Sequence, residues 1–387
     1  MSDHSVSAPN LAELQTHRSE KWRGFPNDVL PLPVAEMDFP VAQPIRDLLT
    51  EMVTKSDLGY LGAIPELGKG FAHFAGTRWN WEVDPLQVRA ATDVGVAVVE
   101  TLRVFTNPGD SILLSSPVYH NFYNWINETK LNLVDVPFER TGDESANPWE
   151  INWDGIEKAY ASGIKVHLLC SPHNPLGRVY SKEELSRFVE LAAQHNVLII
   201  SNELHAPLTY KGKIFTPILS LGEKARSVSI VVTAASKGWN IAGLKCAIIV
   251  TQDAKLFARL SEMPPAVHWR TSLLGAFATA VAFSDGGPWL DDVVAQLDDN
   301  RHLIKNLLSA KLPSVRYHLP DNGYLAWLDV EALQLGDDPS KVLLEKGRVA
   351  FNAGHTFGAQ TSQYVRLNFA TSPEIVTEAI DRIARSV

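Results

Sequence analysis

The feature that most restricts the fold is an alternation running from about residue 47 to residue 284, in which short apolar, β-rich runs are separated by amphipathic helical stretches. The runs occupy 111–114, 166–170, 197–201, 229–233 and 247–250. Between the second and third, Ser181-Lys-Glu-Glu184 has the form of a capping box, ahead of Leu185, Phe188, Val189 and Ala192 at helical spacing. Continuous apolar strands joined through helices imply a mainly parallel sheet covered on both faces. Residues 47–284 are therefore expected to form one large α/β domain.

After Gly286-Gly287-Pro288 the pattern changes. A long helical stretch (about 289–310) leads into runs at 315–319, 325–330 and 364–369 that read as strands. A last helix is expected from Ser372, with Pro373 in its first position and Ile375, Val376, Ala379, Ile380 and Ile383 buried. Residues 1–46 are punctuated by Pro26, Pro31, Pro33, Pro40 and Pro44 and read as an extended, irregular arm. The arm and residues 285–387 together are expected to build a second, smaller α+β domain.

Four polar segments lie at the ends of the expected strands. Thr233-Ala-Ala-Ser236-Lys237-Gly-Trp-Asn-Ile-Ala-Gly-Leu-Lys245 puts a lysine just past a strand end, where α/β sheets place their ligands. Desolvation or a nearby cation would lower its pKa enough for it to condense with an aldehyde, and Thr233, Ser236 and Lys245 suit a phosphate. Ser171-Pro-His-Asn174-Pro-Leu-Gly177 aims an amide from between two prolines. Ser201-Asn202-Glu-Leu-His205 ends the neighbouring strand. Thr92-Asp93-Val94-Gly95 opens a helix, whose free N–H groups make an anion site, and Ser116-Pro-Val-Tyr119 offers a ring to lie on an aromatic cofactor. Taken singly, each has a plain structural reading: a solvated loop lysine, an Asx turn, a structural polar cluster, a Gly-containing turn. Arg366, in Tyr364-Val-Arg-Leu-Asn-Phe-Ala370, equally fits a surface charge on a strand.

Together the four segments resemble the fold-type I pyridoxal 5′-phosphate (PLP) enzymes, over essentially the whole chain. In that fold an Asn, an Asp and the Schiff-base Lys follow in order; here the steps are 28 residues (174 to 202) and 35 (202 to 237). Leu30-Pro-Leu-Pro-Val-Ala-Glu-Met-Asp-Phe39, Ser116-Pro-Val-Tyr119, His173-Asn-Pro-Leu-Gly177 and Ser236-Lys237-Gly-Trp-Asn-Ile-Ala-Gly-Leu-Lys245 are similar to the MalY/PatB-type cystathionine β-lyases, above all the actinobacterial C–S lyases. The resemblance implies a seven-stranded sheet and PLP carried on Lys237. It implies a phosphate held by Val94, Gly95, Thr233, Ser236 and Lys245, with Tyr60 reaching in from the second subunit of a homodimer. Tyr119, Asn174, Asn202 and His205 would meet the ring, and Arg366, Asn174, Ala35 and Tyr119 the amino-acid substrate. The implied reaction is α,β-elimination of cystathionine or a related L-cysteine S-conjugate, as in methionine biosynthesis. An aminotransferase and a catalytically weak, PLP-binding regulatory protein are the alternatives.

Two positions depart from the family pattern. Asn202 stands where the family has Asp, and a neutral amide cannot keep the pyridine nitrogen protonated, which weakens the ring as an electron sink and favours elimination over transamination. Pro33 stands where the subgroup carries Trp, which reshapes the substrate side.

Composition sets the remaining expectations. With 35 basic and 44 acidic residues the net charge is −9, which argues against nucleic acid or an anionic membrane as partner. Cys170 and Cys246 read as buried thiols, and no metal-ligand spacing occurs. The opening residues lack a basic-then-apolar signal pattern, so a cytoplasmic location is expected.

Overall fold

The computed structural model describes residues 6–141 and 147–387; the first five residues of the expected arm lie outside the described residues. The apolar runs pair into one seven-stranded sheet, built from β1 (Val88–Ala91), β2 (Ser111–Leu114), β3 (Asn132–Asp135), β4 (Val166–Cys170), β5 (Leu198–Asn202), β6 (Ser229–Thr233) and β7 (Ala247–Val250). Their spatial order is β1-β7-β6-β5-β4-β2-β3. β7 runs antiparallel to both its neighbours, and every other pairing is parallel.

Alternation along each strand sends side chains into two separate cores. Leu113, Leu169, Ile199 and Val231 join one, while Ile112, Leu168, Ile200 and Ile230 join the other. A strand apolar on both faces can be stable only between two helical layers, which is why these runs lack a polar alternation. Helices α1 (Gln43–Thr54), α2 (Pro65–Trp79), α3 (Val94–Phe105), α4 (Lys182–His195) and α5 (Leu273–Asp285) contribute to those layers. α4 begins at the expected capping box, with Ser181 Oγ accepting from Glu184 N–H and the Glu184 carboxylate accepting from Ser181 N–H.

Helix α6 (Gly287–Lys311) leads into a four-stranded antiparallel sheet of β8 (Arg316–Tyr317), β9 (Leu325–Asp329), β10 (Asn352–Ala353) and β11 (Tyr364–Asn368), in the order β8-β9-β11-β10. Helix α7 (Pro373–Ala384) starts from Ser372, whose Oγ accepts from Ile375 N–H, and buries the five expected residues.

The arm is less irregular than its prolines suggest. It carries one-turn helices at Leu11–Leu14 and Glu20–Arg23, and α1 begins at Gln43 with Pro44 in its first turn. Pro44 thus opens a helix instead of preventing one, because the first turn needs no proline N–H. Leu30–Pro31 pairs in parallel with Val349–Ala350. Further along, Asn368 Nδ2 donates to Val34 O and Glu36 O at 2.6 Å each, and Asn240 exchanges hydrogen bonds with the Met37 backbone at 2.8 Å. The segment from Val34 to Met37 is thereby clamped between β11 and the loop that bears Lys237.

Candidate active site

Strand register creates the site. Cys170 pairs with Asn202, and Asn202 with Val232, so β4, β5 and β6 end flush at their carboxyl edge. Asn174, Asn202 and Lys237 therefore emerge at one edge, where an open α/β sheet leaves a crevice. A cavity of about 690 Å³ lies there, lined by Ala35, Val94, Gly95, Tyr119, Asn174, Asn202, His205, Ser236, Lys237, Lys245 and Arg366. Residues spread over 332 positions of sequence (35 to 366) share that one space.

Lys237 Nζ donates to Ala35 O at 2.7 Å, and Tyr324 Oη donates to the same carbonyl at 3.0 Å. Burial, and then the Arg366 charge, push the Lys237 amine down to about 8, against an opposing pull from Glu36. An amine so placed is far closer to its neutral, nucleophilic form than a surface lysine.

Arg366 is 2% exposed, in the middle of a strand whose five residues are all buried. Its guanidinium donates to Asn174 Oδ1 (3.0 Å), Pro33 O (3.0 Å) and Asn352 Oδ1 (2.9 Å). None of those acceptors is charged, and burial lowers its pKa to about 10. A buried guanidinium that faces a cavity and bonds only neutral acceptors has the capacity to take a carboxylate.

At the other end, Asp93 caps α3 by accepting from Val96 N–H at 2.9 Å. The N–H groups of Val94 and Gly95 are left for an anion. A side-chain carbon at Gly95 would come within 3.0 Å of Trp125 Nε1 and 3.3 Å of Asp93 Oδ1, so glycine keeps this turn open without displacing either side chain. Lys245 Nζ sits 3.2 Å from Asp93 Oδ2, and Ser236 faces the same space. His205 is buried, and that burial, followed by Lys237 and Arg366, holds its imidazole neutral, down to about 3. Burial also raises the Tyr119 phenol, whose oxygen accepts from Asn121 Nδ2 at 2.8 Å.

Two expected residues do not line the cavity. Thr233 turns away: its hydroxyl donates to Glu203 O at 3.1 Å, because a residue still inside β6 has its side-chain direction fixed by the strand. Tyr60 is 91% exposed on the segment between α1 and α2. Sequence reasoning in turn missed Tyr324, Asn352, Asn240 and the Pro33 carbonyl. The polar Asn352 within a short apolar run (349–353) was a signal; a backbone carbonyl gives none.

A desolvated lysine, a helix N-terminus opened by glycine, a flat tyrosine ring and a buried arginine in one crevice define an enzyme that binds a phosphorylated aldehyde beside an amino-acid carboxylate. The comparisons agree. Residues 28–383 match the family model for aminotransferase class I and II. Cystathionine beta-lyase of Corynebacterium glutamicum is 35% identical over 385 residues, covering 97% of this chain and 98% of that protein. Cystathionine beta-lyase PatB of Bacillus subtilis is 32% identical over 363 residues, covering 92% of each chain. The structure of cystalysin from Treponema denticola, which contains a pyridoxal 5′-phosphate cofactor, superposes with a TM-score of 0.91 at 26% identity and 96% coverage of each chain. The chain belongs to the aminotransferase class I and II family, and PLP is the cofactor of that family.

Proposed function

We propose that this chain is a PLP-dependent carbon–sulfur β-lyase, which with water cleaves cystathionine or a related L-cysteine S-conjugate to a thiol, pyruvate and ammonia. The observation that carries the reading is Arg366, buried at the cavity wall with only neutral acceptors, in the same space as the Lys237 amine. The names of the relatives support the carbon–sulfur chemistry.

PLP, when bound, supplies the electron sink that acidifies the substrate α-carbon. Val94 and Gly95 N–H groups, Ser236 and Lys245 would hold its phosphate, and Tyr119, Asn174, Asn202 and His205 would surround its ring. Arg366 would take the substrate carboxylate, exchanging a neutral acceptor for a charged one. Lys237 Nζ, poised near neutrality, would remove the α-proton. The Ala35 carbonyl and Asn174 amide would fix the substrate between them.

Two finer expectations belong to this proposal. Tyr60 on its exposed segment, with Leu58 exposed two residues before it, supports a homodimer in which each copy completes its partner's cavity. Two buried, unpaired thiols, Cys170 and Cys246, support a cytoplasmic location.

The test is pyruvate release from L-cystathionine, with the absorbance of the lysine-bound cofactor followed in parallel. Lys237→Ala is expected to abolish both, and full activity in that variant would sink the assignment. An aminotransferase reading, which the family model carries, predicts instead stoichiometric conversion to the pyridoxamine form, reversed by a 2-oxo acid. Bound PLP without turnover would point to the regulatory alternative.

A further inference from the structure

Asn202 is 6% exposed, ends β5 and lines the cavity. Its Oδ1 accepts from Leu204 N–H at 3.2 Å. A backbone N–H can only donate, so the amide atom facing it has to be the oxygen. The remaining end is Nδ2, a donor, and none of the described residues accepts from it. Turning the amide over would set donor against donor inside the protein, so the polarity of this side chain is fixed by its own backbone.

We propose that Asn202 donates an N–H to the pyridine nitrogen of PLP and so holds that nitrogen unprotonated, which makes Asn202 a determinant of reaction type. The inference rests on the PLP reading above and deepens it. The sequence shows only that a carboxylate is missing; the structure adds the direction of the bond that replaces it.

No neighbouring acid takes over the missing charge. Glu203 is adjacent, but strand alternation turns its carboxyl to the other face, where Oε1 accepts from Ser201 Oγ at 3.0 Å and Ile218 N–H at 3.1 Å. Burial there pushes it up to about 8, so it is largely neutral at pH 7. Cys170, across the ladder from Asn202, is a buried thiol pushed up to about 12, and His205 is neutral. Among the carboxylates that line the cavity, Asp93 is paired with Lys245 at 3.2 Å and Glu128 with Arg103 at 3.1 Å. Lys237 and Arg366 already bring cationic groups to the same space. A pyridinium would add a further buried cation with no facing anion.

An unprotonated ring is a weaker electron sink. Elimination expels the thiolate as the α-proton leaves, and needs that sink only briefly. Amino-group transfer must hold the charge until a second carbon is protonated. The amide therefore selects between two reactions that share every other residue.

The experiment loads the protein with PLP labelled at the ring nitrogen and records the nitrogen NMR shift. The expected shift is that of a neutral pyridine, constant across the neutral pH range, and Asn202→Asp moves it to that of a pyridinium. The same substitution is expected to lower the ratio of pyruvate released to cofactor converted to the amine form by about tenfold, as a charge-assisted bond replaces a neutral one. A pyridinium shift in the unmodified protein, or a ratio that does not move in Asn202→Asp, overturns the inference and leaves the lyase reading intact. A protein that takes up no PLP removes the proposed function and this inference with it.

Discussion

Arg366 shows what a single side chain demands of its surroundings. Its two terminal nitrogens reach three separate neutral acceptors, Nε is left without a partner, and the side chain lines the cavity. Arg366→Lys keeps the charge but cannot span the same acceptors. It is expected to raise KM for the amino acid by roughly 10- to 100-fold, the worth of one or two charge-assisted hydrogen bonds, with a smaller change in kcat. Steady-state kinetics on L-cystathionine would separate the two. Glu203 gives a second prediction. Its folded pKa, about 8, lies above the ordinary carboxylate value, because burial outweighs its two hydrogen bonds. The folded state keeps a proton that the unfolded chain releases, so the stability this group contributes is full at low pH and is lost as pH rises from about 4.5 to about 8. Glu203→Gln should flatten urea-unfolding stability across that window by a few kcal/mol. In sequence Lys237, Asn174 and Gly95 were legible because each sits at a strand end or helix start. Arg366 was ambiguous because burial on both faces of β11 depends on partners that are distant in the chain.

Among the elements, the arm shows how much tertiary contact adds to local pattern. Its prolines announced an irregular path, yet its position is set by a buried ion pair between Lys21 Nζ and Asp38 Oδ2 at 2.7 Å, with Trp22 Nε1 donating to Asp38 Oδ1 at 2.9 Å. Nothing in local periodicity marks Lys21 as interior, since a lysine is normally solvated and only the folded chain supplies its anion. Lys21→Met would leave Asp38 as an uncompensated buried charge. A loss of about 3–5 kcal/mol is expected, read as a lower urea midpoint at unchanged slope. The central strands β4, β5 and β6 were readable to within a residue, because an unbroken apolar run admits few other placements. β8 falls inside the strand expected at 315–319 but keeps only two of its residues, and β10 was not read at all: two residues in a ladder carry too little pattern to be told from loop.

For the molecule as a whole, the cavity depends on both sheets and on the arm between them. The exposed segment carrying Tyr60 extends that dependence, by proposal, to a second copy of the chain. Tyr60→Phe removes a single hydroxyl from a residue that touches little in its own subunit. It is expected to leave folding unchanged and to raise the PLP dissociation constant about tenfold, measurable by cofactor titration. An unchanged constant, or a monomer at micromolar concentration in sedimentation, would refute the shared site.

The hydrogen bond from Arg366 to Pro33 O joins residues 333 positions apart. Closing a loop of that length is slow, and its entropy must be met before any contact rewards it. On the ribosome, Lys237 is therefore translated well before Tyr324 and Arg366, which complete its surroundings. On the assignment proposed above, a nascent chain would hold an ordinary, largely protonated lysine, and the Arg366 charge that helps lower its pKa would reach it only once β11 has emerged. On that assignment, cofactor capture would be timed to the completion of the fold.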